Sequence, residues 1–98
     1  MNSYETVLIA SSKLADNSVL DLQKKIETVL KKHQGKITQW DDWGNRKLSY
    51  KIKKEHTGHY VCMNYTASPT VIRELEQSLE FNEDILKYLT IRLKEEKQ

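Results

Sequence analysis

The most concentrated group of charged side chains in the sequence is a run of bases near its middle. Residues 46–54 read RKLSYKIKK and contain no acidic residue. The five bases are Arg46, Lys47, Lys51, Lys53 and Lys54. Each Lys or Arg that neutralises a phosphate releases counterions, so a cluster of this size can form a contact surface for a nucleic acid. Lysines on an exposed strand can also serve only to prevent edge pairing, and charge alone leaves both interpretations open.

Acidic side chains are concentrated in a second segment, residues 71–84. It contains one base, Arg73, and five acids: Glu74, Glu76, Glu80, Glu83 and Asp84. The whole chain has 16 Lys and Arg against 14 Asp and Glu, a net charge of +2, which excludes a histone-like polycation. We therefore expect one basic and one acidic surface, and any contact with nucleic acid must come from local clustering.

The other reactive residue types do not form a set. His56 and His59 are two potential metal ligands, whereas a zinc site normally needs three or four. Cys62 cannot form an internal disulfide and is expected to be inert core. Asp41 and Asp42 are adjacent, so on a strand they point to opposite faces and cannot share a site. Without a nucleophile–base–acid set or a Gly-rich phosphate loop, we expect no enzymatic activity, metal, cofactor or small-molecule substrate.

Length and composition indicate a small folded protein. With 98 residues, of which 38% are hydrophobic, we expect a single domain over residues 1–98. No stretch approaches the roughly 18 apolar residues of a membrane span. No secretory signal is visible at the N-terminus, and we expect no membrane contact.

The first two elements follow from hydrophobic periodicity. The apolar segment 4–10 (YETVLIA) predicts a central strand. Apolar residues with a 3.6-residue period predict a helix over 19–30. Asp16 and Ser18 are candidate N-caps, and Gly35 is the expected C′ residue.

The segment that carries the basic run predicts a strand with a break. Ile37 and Trp43 fall on odd positions, whereas the later apolar residues fall on even ones. These later residues are Leu48, Tyr50 and Ile52. Because strand side chains alternate between faces, a bulge or turn is expected at Gly44-Asn45. Beyond it the lysines should form a stripe opposite a buried apolar face, and Trp43 could stack on a base, although packing on the sheet edge is favoured.

The remaining elements complete a known arrangement. Segment 55–59 (EHTGH) predicts a hairpin loop and 60–66 a second apolar strand. Ser68-Pro69 predicts a helix start, and 85–93 predicts a half-buried strand. The order strand, helix, strand, strand, helix, strand predicts an α+β ferredoxin-like β-α-β-β-α-β sandwich. Its four-stranded, mainly antiparallel sheet would carry both helices on one face and leave the other face open.

Several segments of the sequence resemble the bacterial small-subunit ribosomal protein S-six family. They are YETVLIA at 4–10, DWGNRKLSYKI at 42–52, GHYV at 58–61 and NEDILKYLTIRL at 82–93. The family motif is an aromatic or apolar residue, Gly, any residue, two bases, Leu, a small residue and Tyr. Residues 43–50 fill this motif in order, and the resemblance extends over about residues 4–93.

The resemblance implies a non-enzymatic component of the small-subunit platform. Such a protein binds the central domain of small-subunit ribosomal RNA together with a small basic partner, ribosomal protein S-eighteen. It would lie in the ribosome, in the cytoplasm of a bacterium or in an organelle of bacterial descent. Family members often carry Arg soon after the initiator Met, where this chain has Asn2-Ser3, so contacts made by that Arg are not carried over to this chain.

The resemblance also implies roles for the candidate site residues. The expected RNA-binding residues are Arg46, Lys47, Lys51, Lys53 and Lys54, through phosphate and sugar contacts. Tyr4, Tyr60 and Tyr88 are expected on the open sheet face and, with Arg92, are candidates for contact with the partner protein or RNA. The alternative is a non-ribosomal ferredoxin-like homodimer that senses a small molecule through the loop at 11–17.

Overall fold

A computed structural model of the chain describes residues 2–13 and 16–93. Its strands are β1 (Asn2–Ser11), β2 (Lys36–Ile52), β3 (Glu55–Ala67) and β4 (Ile85–Arg92), and its helices are α1 (Asp16–Lys31) and α2 (Pro69–Glu80). The sheet order is β2-β3-β1-β4, and every neighbouring pair is antiparallel. This is the predicted ferredoxin-like sandwich. No helix in the described ranges is long and apolar enough to cross a membrane.

The main core lies between the sheet and the two helices. Even positions of β1, such as Tyr4 and Leu8, pack there with odd positions of β3, such as Met63. The helices contribute Leu22, Ile26, Leu30, Val71, Leu75 and Leu79. Buried Thr6 is the one polar residue of β1 in this layer, and its Oγ1 lies 2.8 Å from the hydroxyl oxygens of both Tyr65 and Thr90. Each of these three hydroxyl groups therefore has a hydrogen-bond partner within the core.

The ends of α1 differ from the prediction. The helix begins at Asp16, so Ser18 lies within the first turn and the prediction that it caps the helix is wrong. The predicted cap by the Asp16 side chain lies outside the described residues. At the other end Gln34, not Gly35, takes the left-handed C′ position, with φ 65°, and the Gly35 N–H donates to the Leu30 carbonyl at 2.8 Å.

Gly35 is instead required by close packing. A Cβ at this position would lie 2.5 Å from the backbone oxygen of Thr66, so a side chain would push α1 away from β3. The start of α2 agrees with the prediction. Ser68 occupies the N-cap position with extended backbone, although without a side-chain capping bond, and Pro69 is the first helical residue.

Strand β2 changes its register against β3 at three places. The shifts lie between Ile37 and Gln39, between Asp42 and Gly44, and between Lys47 and Ile52. The second is the predicted break, and Gly44 there has φ 75°, which a glycine adopts without strain. At the third shift, residues 48–51 stand against His56 alone, because Lys47 pairs with Thr57 and Ile52 with Glu55.

The hairpin between β2 and β3 turns earlier than predicted. The turn is Lys53-Lys54, with φ 47° and 68°, as in a two-residue type I′ turn, and residues 55–59 belong to β3. The prediction of a loop at 55–59 is therefore wrong. Gly58 suggested a loop, but it serves close packing, because a Cβ there would collide with Cγ2 of Ile9 in β1.

Candidate nucleic-acid interface

The predicted basic run forms one end of the β2–β3 hairpin. The last ladder pair between β1 and β3 is Ser11 with Gly58, and Gly58 also pairs with Arg46, so residues 46–57 begin level with the end of β1 and continue beyond it. We call these residues the basic ribbon. All five predicted RNA-binding bases lie in the basic ribbon and are exposed. Within the described ranges, no carboxylate forms an ion pair with any of them, so their charges face solvent.

The bases do not form the single straight stripe that strict alternation predicts. Arg46 stands opposite Gly58 and Lys47 opposite Thr57, so these two side chains point to opposite faces of the hairpin. Lys53 lies in the turn, and its Nζ donates to the Ile85 carbonyl at 3.2 Å. The ribbon therefore presents charge on two faces and at its tip, and Lys53 is partly used in holding the tip to β4.

A small second core fixes the basic ribbon to the open face of the sheet. It consists of buried Ile9, Leu48 and Leu86 with the half-buried Ile52 and Tyr60. Two hydrogen bonds from the end of β1 and the residue that follows it add to this attachment. Ser11 Oγ donates to Glu55 Oε1 at 2.7 Å, and Ser12 Oγ lies 2.9 Å from Thr57 Oγ1.

The predicted buried face of the ribbon is thus only partly buried. Leu48 is buried, but Tyr50 is 60% exposed because the bulge at 48–51 carries it outward. The Lys87 ammonium donates to Tyr50 Oη at 2.8 Å and lies 5.5 Å from the ring centroid. This hydrogen bond raises the pKa of Lys87, so the side chain stays cationic and is held across the open face.

Trp43 lies at the second register shift of β2 and is 44% exposed. The Arg46 guanidinium lies 5.6 Å from its ring centroid, within the range of a cation–π contact. The favoured expectation of a Trp packed on the sheet edge therefore understates its exposure. A flat ring and a guanidinium side by side offer a stacking surface next to the phosphate-binding charges.

Two of the three tyrosines do not lie where they were expected. Tyr4 is buried on the helix-covered face, where its ring stacks on Tyr65 with centroids 5.9 Å apart. Tyr88 packs against the same core, and its pKa is raised by burial first and then by Glu80 and Glu76. The prediction that both line the open face is wrong, because the strand registers give Tyr4 and Tyr88 the helix-facing parity. Only Tyr60 lies on the open face.

Arg92 lies at the other end of the sheet. It pairs with Tyr4 across β1 and donates to Asn2 Oδ1 at 3.2 Å. Ser11 lies seven positions along β1 from Tyr4, which corresponds to roughly 23 Å of strand. Arg92 therefore cannot act on the same few phosphates as the basic ribbon.

The structure separates the remaining reactive side chains. Asp42 Oδ1 lies 2.6 Å from His59 Nε2, whereas Asp41 accepts a bond from Gln39 on the opposite face, as predicted for adjacent strand residues. Cys62 is buried on the open face and its Sγ donates to Glu5 Oε1 at 3.2 Å. Burial first, and then the Glu5 carboxylate, raise its pKa to about 11, so the sulfur stays an unreactive thiol.

An apolar row on β4 was missed by sequence reasoning. Leu89 and Ile91 are 63% and 47% exposed on the open face, while Tyr88 and Thr90 take the helix-facing positions. The alternation of apolar residues was visible, but it indicated only that one side is buried. The signal available was that both sides of β4 carry bulky side chains, which is typical of a strand that meets something on each face.

Comparisons with known proteins agree with this arrangement. A family model described as "Ribosomal protein S6" matches residues 3–92. Relatives named "Small ribosomal subunit protein bS6" include one from Gluconobacter oxydans, 44% identical over 97% of this chain and 59% of the relative. That from Desulforapulum autotrophicum is 40% identical, over 98% of this chain and 62% of the relative. The chain thus spans about three fifths of the length of these two relatives.

Other relatives match over more of their length. The protein of the same name from Caldanaerobacter subterraneus is 40% identical over 94% of this chain and 97% of its own length. Among solved structures, the crystal structure of 30S ribosomal protein S6 from Thermotoga maritima superposes with a TM-score of 0.85 at 24% identity. That superposition covers 94% of this chain and 87% of the other, and it supports the fold.

Proposed function

The chain belongs to the ribosomal protein S6 family of the small ribosomal subunit, and from this premise we propose that the basic ribbon binds small-subunit ribosomal RNA. The RNA is the central domain, at the platform of the subunit. Binding takes place together with a small basic partner, ribosomal protein S-eighteen. The role is structural and not enzymatic, and the family membership removes the alternative of a non-ribosomal small-molecule sensor.

The observation that carries this proposal is the state of the five bases. They are exposed, they lie in one hairpin, and in the described part of the chain none is neutralised by a carboxylate. A solvated strand whose lysines only prevent pairing has no need of Arg46 held over Trp43 at a bulge. Cationic groups next to an exposed aromatic ring suit the backbone and unstacked bases of a folded RNA.

The mechanism is positional. The second core and the Ser11–Glu55 hydrogen bond hold the basic ribbon against the sheet. A rigid ribbon loses less conformational entropy when its side chains contact phosphates than a mobile loop would. RNA shape is therefore read by the fixed spacing of the charges more than by contacts to base edges.

A protein partner accounts for the near-neutral charge. A net charge of +2 supplies little general attraction for RNA, so the isolated chain should bind weakly and the pair with its basic partner should bind well. Tight RNA binding by the purified chain alone at physiological salt would contradict this part of the proposal.

The test is charge reversal in the ribbon. Arg46→Glu with Lys47→Glu should strongly reduce incorporation into small subunits, measured by cofractionation after a salt wash. The matched control is Lys24→Glu with Lys25→Glu, which makes the same charge change at exposed positions of α1. Equal incorporation of the ribbon variant and the control variant would show that the basic ribbon is not the RNA contact.

A further inference from the structure

The outer edge of β4 is open for strand pairing. In the sheet order β2-β3-β1-β4, β4 pairs only with β1 among the described strands. The Leu93 N–H donates to the Ser3 carbonyl at 2.9 Å, so by alternation the N–H groups of Leu89 and Ile91 also point to β1. The N–H and C=O groups of Tyr88, Thr90 and Arg92 therefore point outward.

This edge lacks the devices that normally prevent pairing. Edge strands are usually protected by outward charges, prolines or bulges. The two bases that flank the exposed stretch are both tied inward across the sheet, Lys87 to the Tyr50 hydroxyl and Arg92 to the Asn2 side chain. Between them, residues 88–91 carry no charge.

The two faces of this edge differ in chemistry. On the open face, Leu89 and Ile91 are largely exposed. On the helix face, an open groove between β4 and α2 is lined by Ile72 and Tyr88, by the acids Glu76 and Glu80, and by one base, Arg73. Burial first, and then the Glu80 and Glu76 carboxylates, raise the pKa of Tyr88. With these two acids against Arg73, the helix-side wall of the groove carries a net negative charge.

From this arrangement we propose that the β4 edge receives an extended protein segment in which apolar and basic residues alternate. Paired antiparallel or parallel to β4, such a segment would place its apolar side chains over Leu89 and Ile91. Its alternate residues would point to the other face, where lysine or arginine would meet Glu76 and Glu80. The inference rests on the proposed function only for the existence of a protein partner, and it assigns that partner a surface distinct from the basic ribbon.

The experiment is photo-crosslinking in assembled small subunits. A photoreactive phenylalanine derivative replaces Leu89, and in a second chain it replaces Leu20, an exposed residue of α1 that serves as control. Incorporation of both labelled chains into subunits is measured first, because failure of both chains would count against the proposed function and not against the edge. The crosslinked peptide is then identified by mass spectrometry.

We expect the Leu89 probe to capture a protein segment with alternating apolar and basic residues, and the Leu20 probe not to capture it. Arg92→Pro removes an outward N–H without touching the ladder to β1 and should lower the yield about fivefold, the loss expected for one hydrogen bond. Arg92→Ala, which keeps this N–H, should leave most of the yield. Glu76→Lys with Glu80→Lys should lower the crosslinking yield at least as much as Arg92→Pro does. Glu83→Lys, which lies outside the groove, should leave the yield unchanged.

Three results would overturn the inference in subunits that contain the probe. The first is a crosslink to RNA alone, and the second is capture of a segment without alternating basic residues. The third is a yield that Arg92→Pro and the charge reversal of Glu76 and Glu80 leave unchanged. Each would mean that a different kind of molecule covers Leu89, or that nothing pairs with β4.

Discussion

Neutralising two bases of the basic ribbon should make RNA binding less sensitive to salt by a calculable amount. Arg46 and Lys47 are exposed, and in the described part of the structure neither pairs with a carboxylate, so each can neutralise one phosphate. The slope of log K against log salt changes by about 0.7 to 0.9 for each phosphate lost. For Arg46→Gln with Lys47→Gln, the slope should therefore become shallower by about 1.4 to 1.8.

The assay is filter binding of the pair with ribosomal protein S-eighteen to a central-domain RNA fragment, between about 50 and 200 mM salt. Lys24→Gln with Lys25→Gln on α1 is the matched control and should leave the slope unchanged. The tip of the ribbon gives an internal comparison. Lys54→Gln should reduce the slope by about 0.7 to 0.9. Lys53→Gln should reduce it less, because the Lys53 ammonium is already bonded to the Ile85 carbonyl.

The refuting result is equally specific. If the Arg46 and Lys47 variant binds with an unchanged slope, these side chains release no counterions and do not contact phosphate. If instead the α1 control loses as much slope as the ribbon variant, the RNA follows the helix side of the protein. Circular dichroism of each variant shows whether the fold is intact, so that a shallower salt dependence can be attributed to the lost charges and not to unfolding.

Three further predictions concern the ribbon and the open face. Gly58→Ala should lower the free energy of unfolding by about 1 to 3 kcal/mol in urea, because its Cβ would collide with Ile9; an unchanged midpoint would contradict the packing. Lys54→Gly should raise the free energy of unfolding by about 0.5 to 1 kcal/mol, because the relief of strain at the left-handed backbone of Lys54 exceeds the entropic cost of ordering a glycine. A lowered melting temperature would refute this. With a Cys62 pKa of about 11, the thiolate fraction is small at pH 8 and rises with pH, so native-state alkylation should accelerate only toward pH 11; fast alkylation at pH 8 would show that the thiol is not shielded.

The sequence by itself was sufficient for the order and type of the elements. The helix periodicity of residues 19–30, the Ser68-Pro69 start of α2 and the register break at Gly44 are all local signals, and each is present in the structure. Such signals are readable because they depend on neighbours in the chain. The basic run was visible for the same reason, and the exposure of its five bases follows from their charge.

Tertiary structure determined which face of the sheet each strand residue occupies, where the β2–β3 hairpin turns, and why glycine is required at the tightly packed positions. Gly58 suggests a turn from its type alone, yet it is needed because Ile9 of a different strand approaches its backbone, and the turn falls at Lys53-Lys54. Tyr4 and Tyr88 lie on the helix side, because strand alternation gives two sets of side chains and does not say which set the helices cover.

The same limit explains the edge of β4. Its alternating residues were evident, but whether Leu89 and Ile91 lie under a helix or in solvent depends on which strand is placed outermost, and that follows from pairing between residues more than 80 positions apart. Local sequence determines what a segment can form. Contacts between distant segments determine which of its sides is left for a partner, because burial is a property of the assembled layers and not of the segment.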